Sequence, residues 1–278
     1  MSIGVVIATY NRRSNLELAL ESLAQQTYTD FHTVIADDGS TDGTRALVEE
    51  LGAAAHWRGR LTWVGCGVNQ GMRLARARNI GAANLPADAT LLVILDSDIM
   101  LERHTLERFA AAHAAHPSAV LVGRMEWLPP LERPYVQQML RDGALDTLRR
   151  YVPQIDPVMI EGTWVGRDLR SAHLQSDPFS NGPAGIRPLR RNLIVSSNWA
   201  YPLDLFWAIG GFDEQIKGYG CEEVELGARS EQRAIECLVL PDIWGLHVWH
   251  PKGNPEVCKQ ELQANLNYLI QKHGYAPA

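Results

Sequence analysis

The sequence predicts an α/β protein with a mostly parallel central sheet flanked by helices. Strand-like and helix-like segments alternate through the first third of its 278 residues, which is typical of parallel sheets with right-handed crossovers. The apolar run at 89–95 is unbroken, which indicates a strand covered on both faces. Polar residues follow each predicted strand, where open α/β sheets bind their ligands.

The elements of the first half follow from these patterns in order. The short apolar run at 4–8 predicts the first strand. Ser14 is followed three residues later by Glu17, which is a capping-box pattern and places the first helix at 15–26. Hydrophobic spacing predicts the rest: strands at 31–36, 61–64 and 89–95, and helices at 44–51 and 72–84.

The second half has weaker periodicity. Residues 127–190 are rich in Pro, Trp, Gly and Arg and are interpreted as an insertion beside the cleft. We expect one helix within it, at 135–151, and a loop-like run at 177–188. Regular structure should resume at 192–200, followed by helices at 203–209 and 255–271 and by a helix that the segment 218–225 opens. Strands are expected at 237–240 and 245–250.

Charge and cysteine usage narrow the class of protein. The formal net charge is −6, and a nucleic-acid partner is not expected without a basic excess. The four cysteines (Cys66, Cys221, Cys237 and Cys258) form no paired motif. No leader or apolar run of about 20 residues is seen. We therefore expect a cytoplasmic protein without a transmembrane segment, with peripheral membrane contact and the oligomeric state left open.

The first candidate site is Asp96-Ser97-Asp98, directly after an apolar strand. On an extended backbone alternate side chains face one side, so both carboxylates are expected to do so. Such oxygens suit Mg²⁺ or Mn²⁺. The alternative is a turn with solvated aspartates, because an isolated Asp-x-Asp motif is common. The position of this motif at a strand end favours the metal site.

A second acidic cluster and a histidine pair lie near the end of the chain. Glu222 and Glu223 open a helix, where acids also stabilise the helix dipole, but a carboxylate facing the cleft can deprotonate a hydroxyl group. His247 and His250 are three apart, so on a strand only one should face the cleft. We favour His250 as a further metal ligand, because Pro251 marks the strand end.

These residues resemble those of family-2 glycosyltransferases of the GT-A fold. The resemblance covers roughly residues 3–100 and 192–250, in the family's order. It is carried by the segments 5–12, 36–42, 69–71, 77–79, 95–98, 210–214 and 220–225.

The resemblance implies an inverting, metal-dependent sugar transfer from a nucleotide diphosphate donor, most often a UDP-sugar. It implies that Asp38 binds the base, Asp98 the metal, and Asp96 the ribose and sugar. The general base that activates the acceptor corresponds to the pair Glu222-Glu223, and alignment favours Glu223. The family usually has aspartate at that position, so Glu222 stays an alternative.

We therefore expect a single GT-A domain over 1–278. Its parts would be a nucleotide-binding half (1–100), an acceptor-side insertion (127–190) and a half with acceptor binding and catalysis (192–278). The acceptor would be a glycan, a lipid-linked molecule, a peptide or a natural product. The expected donor-binding residues are Thr9, Tyr10, Asn11, Arg12, Asp38, Asn69, Gly71, Arg78, Asp96, Ser97 and Asn198, with Tyr10 stacked on the base and Arg78 on phosphate; the expected ligands of Mn²⁺ or Mg²⁺ are Asp98, Asp96 and His250.

Two other functions are weighed against this one. A sugar nucleotidyltransferase should carry a glycine-rich phosphate loop after the first strand, but residues 9–12 contain no glycine. A non-catalytic sugar-nucleotide or glycan-binding protein of the same fold is disfavoured because Asp98, Glu222, Glu223 and His250 are all retained.

Overall fold

The computed structural model describes residues 1–57, 59–153, 158–160, 163–166, 187–188, 198–251 and 253–274. Within these ranges the strands are β1 (Ser2–Thr9), β2 (Phe31–Asp37), β3 (Leu61–Gly65), β4 (Ala89–Asp96), β5 (Ile99–Leu101), β6 (Val120–Trp127), β7 (Val158–Ile160), β8 (Thr163–Val165), β9 (Arg187–Pro188), β10 (Trp199–Pro202) and β11 (Cys237–His247). The helices are α1 (Arg13–Ala24), α2 (Thr44–Ala53), α3 (Leu74–Ala83), α4 (Thr105–Ala115), α5 (Arg133–Arg141), α6 (Leu145–Arg149), α7 (Leu203–Ala208), α8 (Glu222–Gln232) and α9 (Pro255–His273).

A nine-stranded sheet forms the centre of the described structure, in the order β3-β2-β1-β4-β10-β6-β11-β5, with β9 also paired to β11. Strands β1, β2, β3, β4, β6 and β11 run in one direction, and β5, β9 and β10 run against them. The predicted α/β class with a mostly parallel sheet is therefore confirmed.

Helices cover both faces of this sheet, which explains why its central strands are apolar throughout. Along β1, Val5 and Ile7 pack into one cluster with α1, whereas Val6 packs into another with α3. Because both faces are buried, each hydrophobic residue from Ile3 to Ala8 is at most 6% exposed. The carboxyl ends of β2 and β4 therefore carry the carboxylates of these two strands, Asp37 and Asp96.

The first helix begins earlier than predicted. It starts at Arg13, so Ser14 lies inside it and makes no capping bond to the backbone. Instead, the amide of Arg13 donates to Asp42 Oδ2 at 2.8 Å, from the loop after β2. A carboxylate distant in sequence thus satisfies a helix N-terminal amide that the local capping box was expected to serve.

Other boundaries differ because distant pairing decides them. Strands β5 and β6 and helix α4 were not predicted, although β6 lies between β10 and β11. The predicted strands at 237–240 and 245–250 are one strand, β11, with a register shift between Leu240 and Trp244. The predicted helix at 135–151 is divided into α5 and α6, with Gly143 at φ 68° between them.

The predicted insertion and loop are described only in part. Of the loop-like run at 177–188, only the two residues of β9 fall within the described ranges, and of 192–200 only the last three. Among the described residues, we find no helix with both the length and the apolar character that a membrane crossing needs.

Candidate active site

Polar side chains gather at the carboxyl edge of the sheet, as predicted from the strand ends. A backbone hydrogen bond joins the loops after β1 and β2 there: the amide of Asp38 donates to the carbonyl of Thr9 at 2.9 Å. Asn11, in the left-handed region at φ 49°, accepts from the amide of Thr41 through Oδ1 at 2.8 Å. These bonds give the edge a fixed shape on the side of β1 and β2.

Asp38 lies at the floor of this first part of the site. Asn69 Nδ2 donates to Asp38 Oδ2 at 3.2 Å, and Asn69 Oδ1 accepts from the amide of Gly71 at 3.0 Å. Burial raises the pKa of Asp38, against the opposing charges of Arg76 and Arg73. Asp38 can therefore accept a hydrogen bond from a ligand in a partly dry pocket.

Two predicted ligand contacts of the loop after β1 differ in exposure. The side chain of Tyr10 is exposed (46%), so its ring is open to a ligand. Thr9 is buried, and its Oγ1 has no hydrogen-bond partner among the described residues. An unsatisfied buried hydroxyl at the edge of a candidate site is consistent with a missing ligand atom.

Asp98 is the centre of a candidate metal site with both histidines. His250 Nε2 lies 2.8 Å from Asp98 Oδ2, and His247 Nε2 lies 3.5 Å from the same oxygen. One potential ligand atom from each residue lies within 4.8 Å of the others. The amide of Val248 donates to the carbonyl of Asp98 at 2.8 Å, which fixes the chain after β11 beside this carboxylate.

The electrostatics and hydrogen bonding of Asp98 suit a cation. Burial by itself raises the pKa of Asp98, but His247, His250 and the charge of Arg12 outweigh it and hold the pKa at about 2. Asp98 Oδ1 is buried and has no hydrogen-bond partner within the described ranges. A carboxylate with a vacant oxygen beside two imidazoles fits a divalent metal ion.

This cluster differs from the predicted set of metal ligands at two residues. His247 belongs to the cluster. The prediction put His247 and His250 on opposite faces of one strand, but β11 ends at His247, so the alternation of side chains does not extend to His250. Asp96 does not belong to it. Residues 97 and 98 form a turn rather than an extended strand, so the argument for placing Asp96 and Asp98 on one side does not apply.

Asp96 is instead paired with Arg78, whose position also differs from the predicted one. Arg78 Nη2 donates to Asp96 Oδ1 at 2.8 Å, and Arg78 Nη1 donates to Glu223 Oε1 at 2.6 Å. The arginine side chain is 0% exposed and lies over the ring of Phe212. With its guanidinium buried and bound to two carboxylates, Arg78 is not placed to bind a phosphate.

The two predicted bases have different surroundings. Glu223 is held by Arg78, whereas Glu222 Oε1 is 3.8 Å from Arg78 Nη1 and Glu222 Oε2 has no partner in the described part of the chain. Burial, followed by the charge of Glu223, raises the pKa of Glu222 to about 8 despite the opposing effect of Arg78. Glu222 therefore holds its proton to a higher pH than an ordinary glutamate does.

Ser97 and Asn198, two further predicted donor-binding residues, are buried in this structure. Ser97 is 6% exposed and Asn198 is 1% exposed. Asn198 donates from Nδ2 to the carbonyl of Arg124 at 2.9 Å, at the start of β10. In this structure the side-chain amide of Asn198 therefore binds the backbone of β6.

Sequence reasoning missed one residue that positions the site. Asn265 of α9 donates from Nδ2 to the carbonyls of Lys217, Tyr219 and Gly220, at 2.9, 3.3 and 2.9 Å. These carbonyls belong to the loop that leads into Glu222. An asparagine within a polar helix gives no pattern that could have identified this contact.

Comparison with known proteins adds a family to this geometry. Residues 4–168 match the model of "Glycosyl transferase family 2". The validoxylamine A glucosyltransferase of Streptomyces hygroscopicus subsp. jinggangensis is 32% identical over 279 residues, which cover 98% of this chain and 61% of that protein. The chain thus spans less than two thirds of the length of this relative.

Solved structures share the fold over nearly the whole chain. S. aureus TarS 1–349 in complex with UDP-GlcNAc is 18% identical, with a TM-score of 0.63, over 97% of this chain and 67% of that one. GalNAc-T7 with UDP, GalNAc and Mn²⁺ is 16% identical, with a TM-score of 0.64, over 99% of this chain and 50% of that one. At these identities the likeness shows a common fold.

Proposed function

Because the chain belongs to glycosyl transferase family 2 and has the predicted GT-A fold, we propose that it is an inverting, metal-dependent glycosyltransferase. Its donor is a UDP-sugar, and its acceptor presents a hydroxyl group. The observation that carries this proposal is the arrangement at one sheet edge of the Asp98–His247–His250 cluster and the Arg78–Glu223 ion pair.

A uridine diphosphate donor suits the first part of the site. Asp38 is buried next to Asn69, where it can accept a hydrogen bond from a ring N–H, and the exposed ring of Tyr10 can stack on a base. Two proteins of the same fold have been crystallised with UDP-GlcNAc and with UDP, which supports this class of donor for the chain.

The donor set at Asp98 supports a divalent ion as the cofactor. Asp98, His247 and His250 would hold it, and the two imidazoles favour Mn²⁺ over Mg²⁺, which prefers oxygen ligands. When bound, such an ion supplies neutralisation of the charge on the departing diphosphate. Asp98 contributes a carboxylate that stays ionised, because its pKa is held at about 2.

Glu223 is the proposed general base. It is held in an ion pair by Arg78, and its side chain is 11% exposed, compared with 6% for Glu222. Glu223 would accept the proton of the acceptor hydroxyl as that oxygen bonds to the anomeric carbon and the bond to the diphosphate breaks on the opposite face. This displacement inverts the anomeric centre.

The test is UDP release from a panel of UDP-sugars, with Mn²⁺ or with EDTA, by the wild type, Asp98→Ala and the control Asp88→Ala. Asp88 is exposed and precedes β4 at the other edge of the sheet. We expect Mn²⁺-dependent hydrolysis of one donor by the wild type and by Asp88→Ala, and none by Asp98→Ala. Absence of turnover by the wild type, together with no metal-dependent UDP binding by calorimetry, would overturn the proposal in favour of a binding protein.

A further inference from the structure

Arg78 is a fully buried cation between two parts of the candidate site. It reaches Asp96, at the end of β4, and Glu223, in the first turn of α8, with different nitrogen atoms at 2.8 and 2.6 Å. These acids are 18 and 145 residues away from it in sequence. A contact of this kind is built by the tertiary fold.

The position of helix α3 makes this contact possible. Its buried face consists of small residues, including Ala75, Ala77 and Gly81, around Arg78. A side chain at Gly81 would collide with Val6 of β1. The helix therefore lies close against the sheet, and the long arginine side chain can run beneath the strand end to both acids.

We propose that Arg78 is a positioning residue that joins the donor side of the active site to its general base. One end of the guanidinium group holds Asp96 and the other holds Glu223. The inference rests on the proposed function, because Glu223 matters as a base only if the chain transfers sugars. It replaces the phosphate contact predicted from the sequence.

The chemistry of the group favours arginine for this task. A guanidinium presents several N–H donors in a rigid plane, so it can bind two carboxylates at a fixed separation, whereas an ammonium group is a point charge. Asp96, Glu222 and Glu223 all face this one cation, and Cys221 directly precedes the two glutamates. Without the cation, buried carboxylates would face each other without compensation.

Affinity measurements separate this role from phosphate binding. Calorimetry with UDP and with uridine, in the presence of Mn²⁺, would be carried out on the wild type, Arg78→Lys, Arg78→Met and the control Arg45→Lys, which alters an exposed pair with Glu49. A phosphate ligand contributes to UDP and not to uridine. We expect the ratio of the two affinities to stay within about twofold in all variants, and a loss of at least about tenfold in that ratio for Arg78→Met would overturn the proposal.

Kinetics test the connection to the base. We expect kcat to fall by at least about tenfold in Arg78→Met. It should fall less in Arg78→Lys, which keeps the positive charge but not the planar set of N–H donors. The KM for the donor should change less than kcat in Arg78→Met, because Arg78 positions the general base and does not bind the phosphate. An unchanged kcat in folded Arg78→Met would contradict the role proposed for Arg78.

A thermodynamic cycle keeps the proposal testable if Arg78→Met does not fold. Urea unfolding, without donor or metal, would be measured for Arg78→Lys, Glu223→Gln, Asp96→Asn and the two double variants with Arg78→Lys. If Arg78 holds both acids, its contribution to stability is coupled to each of them. Each double variant should then lose less unfolding free energy than the sum of the losses in its two single variants. Additivity in either cycle would overturn it. Failure of the wild type to release UDP from any donor would defeat the proposed function and leave this cycle interpretable.

Discussion

Glu222 and Glu223 are adjacent in sequence but meet different electrostatic surroundings. The first has a buried oxygen without a partner among the described residues, and the second is bound to Arg78. Two neighbouring carboxylates near one cation cannot both ionise without cost. At this scale Glu222 has a raised pKa and Glu223 is held by a cation, and this ion pair suits Glu223 to the proposed role of general base.

Replacing either acid by its amide should reveal which one is the base. Glu223→Gln should lower kcat by about 10²–10⁴-fold, because general base catalysis contributes a factor of that size. Glu222→Gln imitates the protonated side chain and should have a smaller effect. Steady-state transfer rates at saturating donor test this, with UDP affinity as the control for binding. A greater loss of kcat in Glu222→Gln would exchange the two roles.

The raised pKa of Glu222 predicts a pH-dependent stability difference. In the unfolded chain a glutamate titrates near about 4.3, whereas burial raises the pKa of Glu222 in the folded protein to about 8. Between these values the folded state holds the extra proton, so its contribution to stability decreases as pH rises from about 4.3 and levels off above about 8. Each pKa unit corresponds to about 1.4 kcal/mol.

Glu222→Gln removes this titration and supplies the measurement. The free energy of unfolding in urea would be measured for both proteins at about pH 5 and about pH 8.5. The stability of the variant relative to the wild type should be greater at the higher pH, since only the wild type must ionise a buried acid. Glu214→Gln, at an exposed position in the loop before α8, is the matched control. An equal difference at both pH values would show that Glu222 titrates normally.

At the scale of elements, helix α9 supports the turn that carries the two glutamates. Asn265 binds three of its carbonyls, and Glu261 accepts from the amide of Tyr219 at 2.9 Å. The turn contains residues in the left-handed region, with Gly220 at φ 82° and Cys221 at φ 81°. A turn of this shape is strained for Cys221 and depends on such external contacts.

Asn265→Leu should weaken both the fold and catalysis. Three carbonyls would lose their common donor, and a buried unsatisfied polar group costs about 1–3 kcal/mol. We expect a lower free energy of unfolding by about that amount and a lower kcat. UDP affinity should be retained, because Asp38 and Tyr10 lie on the loops after β1 and β2. Gln263→Ala, on the exposed face of the same helix, should change neither. Loss of UDP affinity equal to the loss of kcat would contradict a role confined to the turn.

At the scale of the whole molecule, the sheet brings Asp98 to the histidines. Strands β4 and β11 run in the same direction with β10 and β6 between them, so their carboxyl ends lie at one edge. The sheet curls enough for β5, which follows Asp98, to pair with the end of β11. The proposed metal site therefore depends on the complete sheet and not on either strand alone.

Metal binding should accordingly stabilise the folded chain. A ligand that binds only the folded state adds about 2.7 kcal/mol at one hundred times its Kd, so Mn²⁺ should raise the Tm of the wild type in a concentration-dependent way. Asp98→Ala should lose this shift and the control Asp88→Ala should keep it. Differential scanning calorimetry with Mn²⁺ and with EDTA measures both. An equal shift in Asp98→Ala would place the ion elsewhere.

The sequence by itself determined the class of fold and the edge where the site lies. Both are encoded by short-range patterns: apolar runs of strand length, helical spacing, and polar residues at the strand ends such as Asp38, Asp96 and Asp98. Parallel strands put these ends together, so the gathering of polar groups could be predicted without coordinates. The family followed from the same segments.

Only the tertiary structure decided which of these groups act on each other. His247 lies beside Asp98 because β11 ends there, and Arg78 is buried because α3 lies close against β1. Asp96 pairs with Arg78 and not with the Asp98–histidine cluster. The physical reason is that ionisation and coordination depend on burial and on distances between residues far apart in sequence. Local patterns specify neither, and the packing of the whole sheet fixes both.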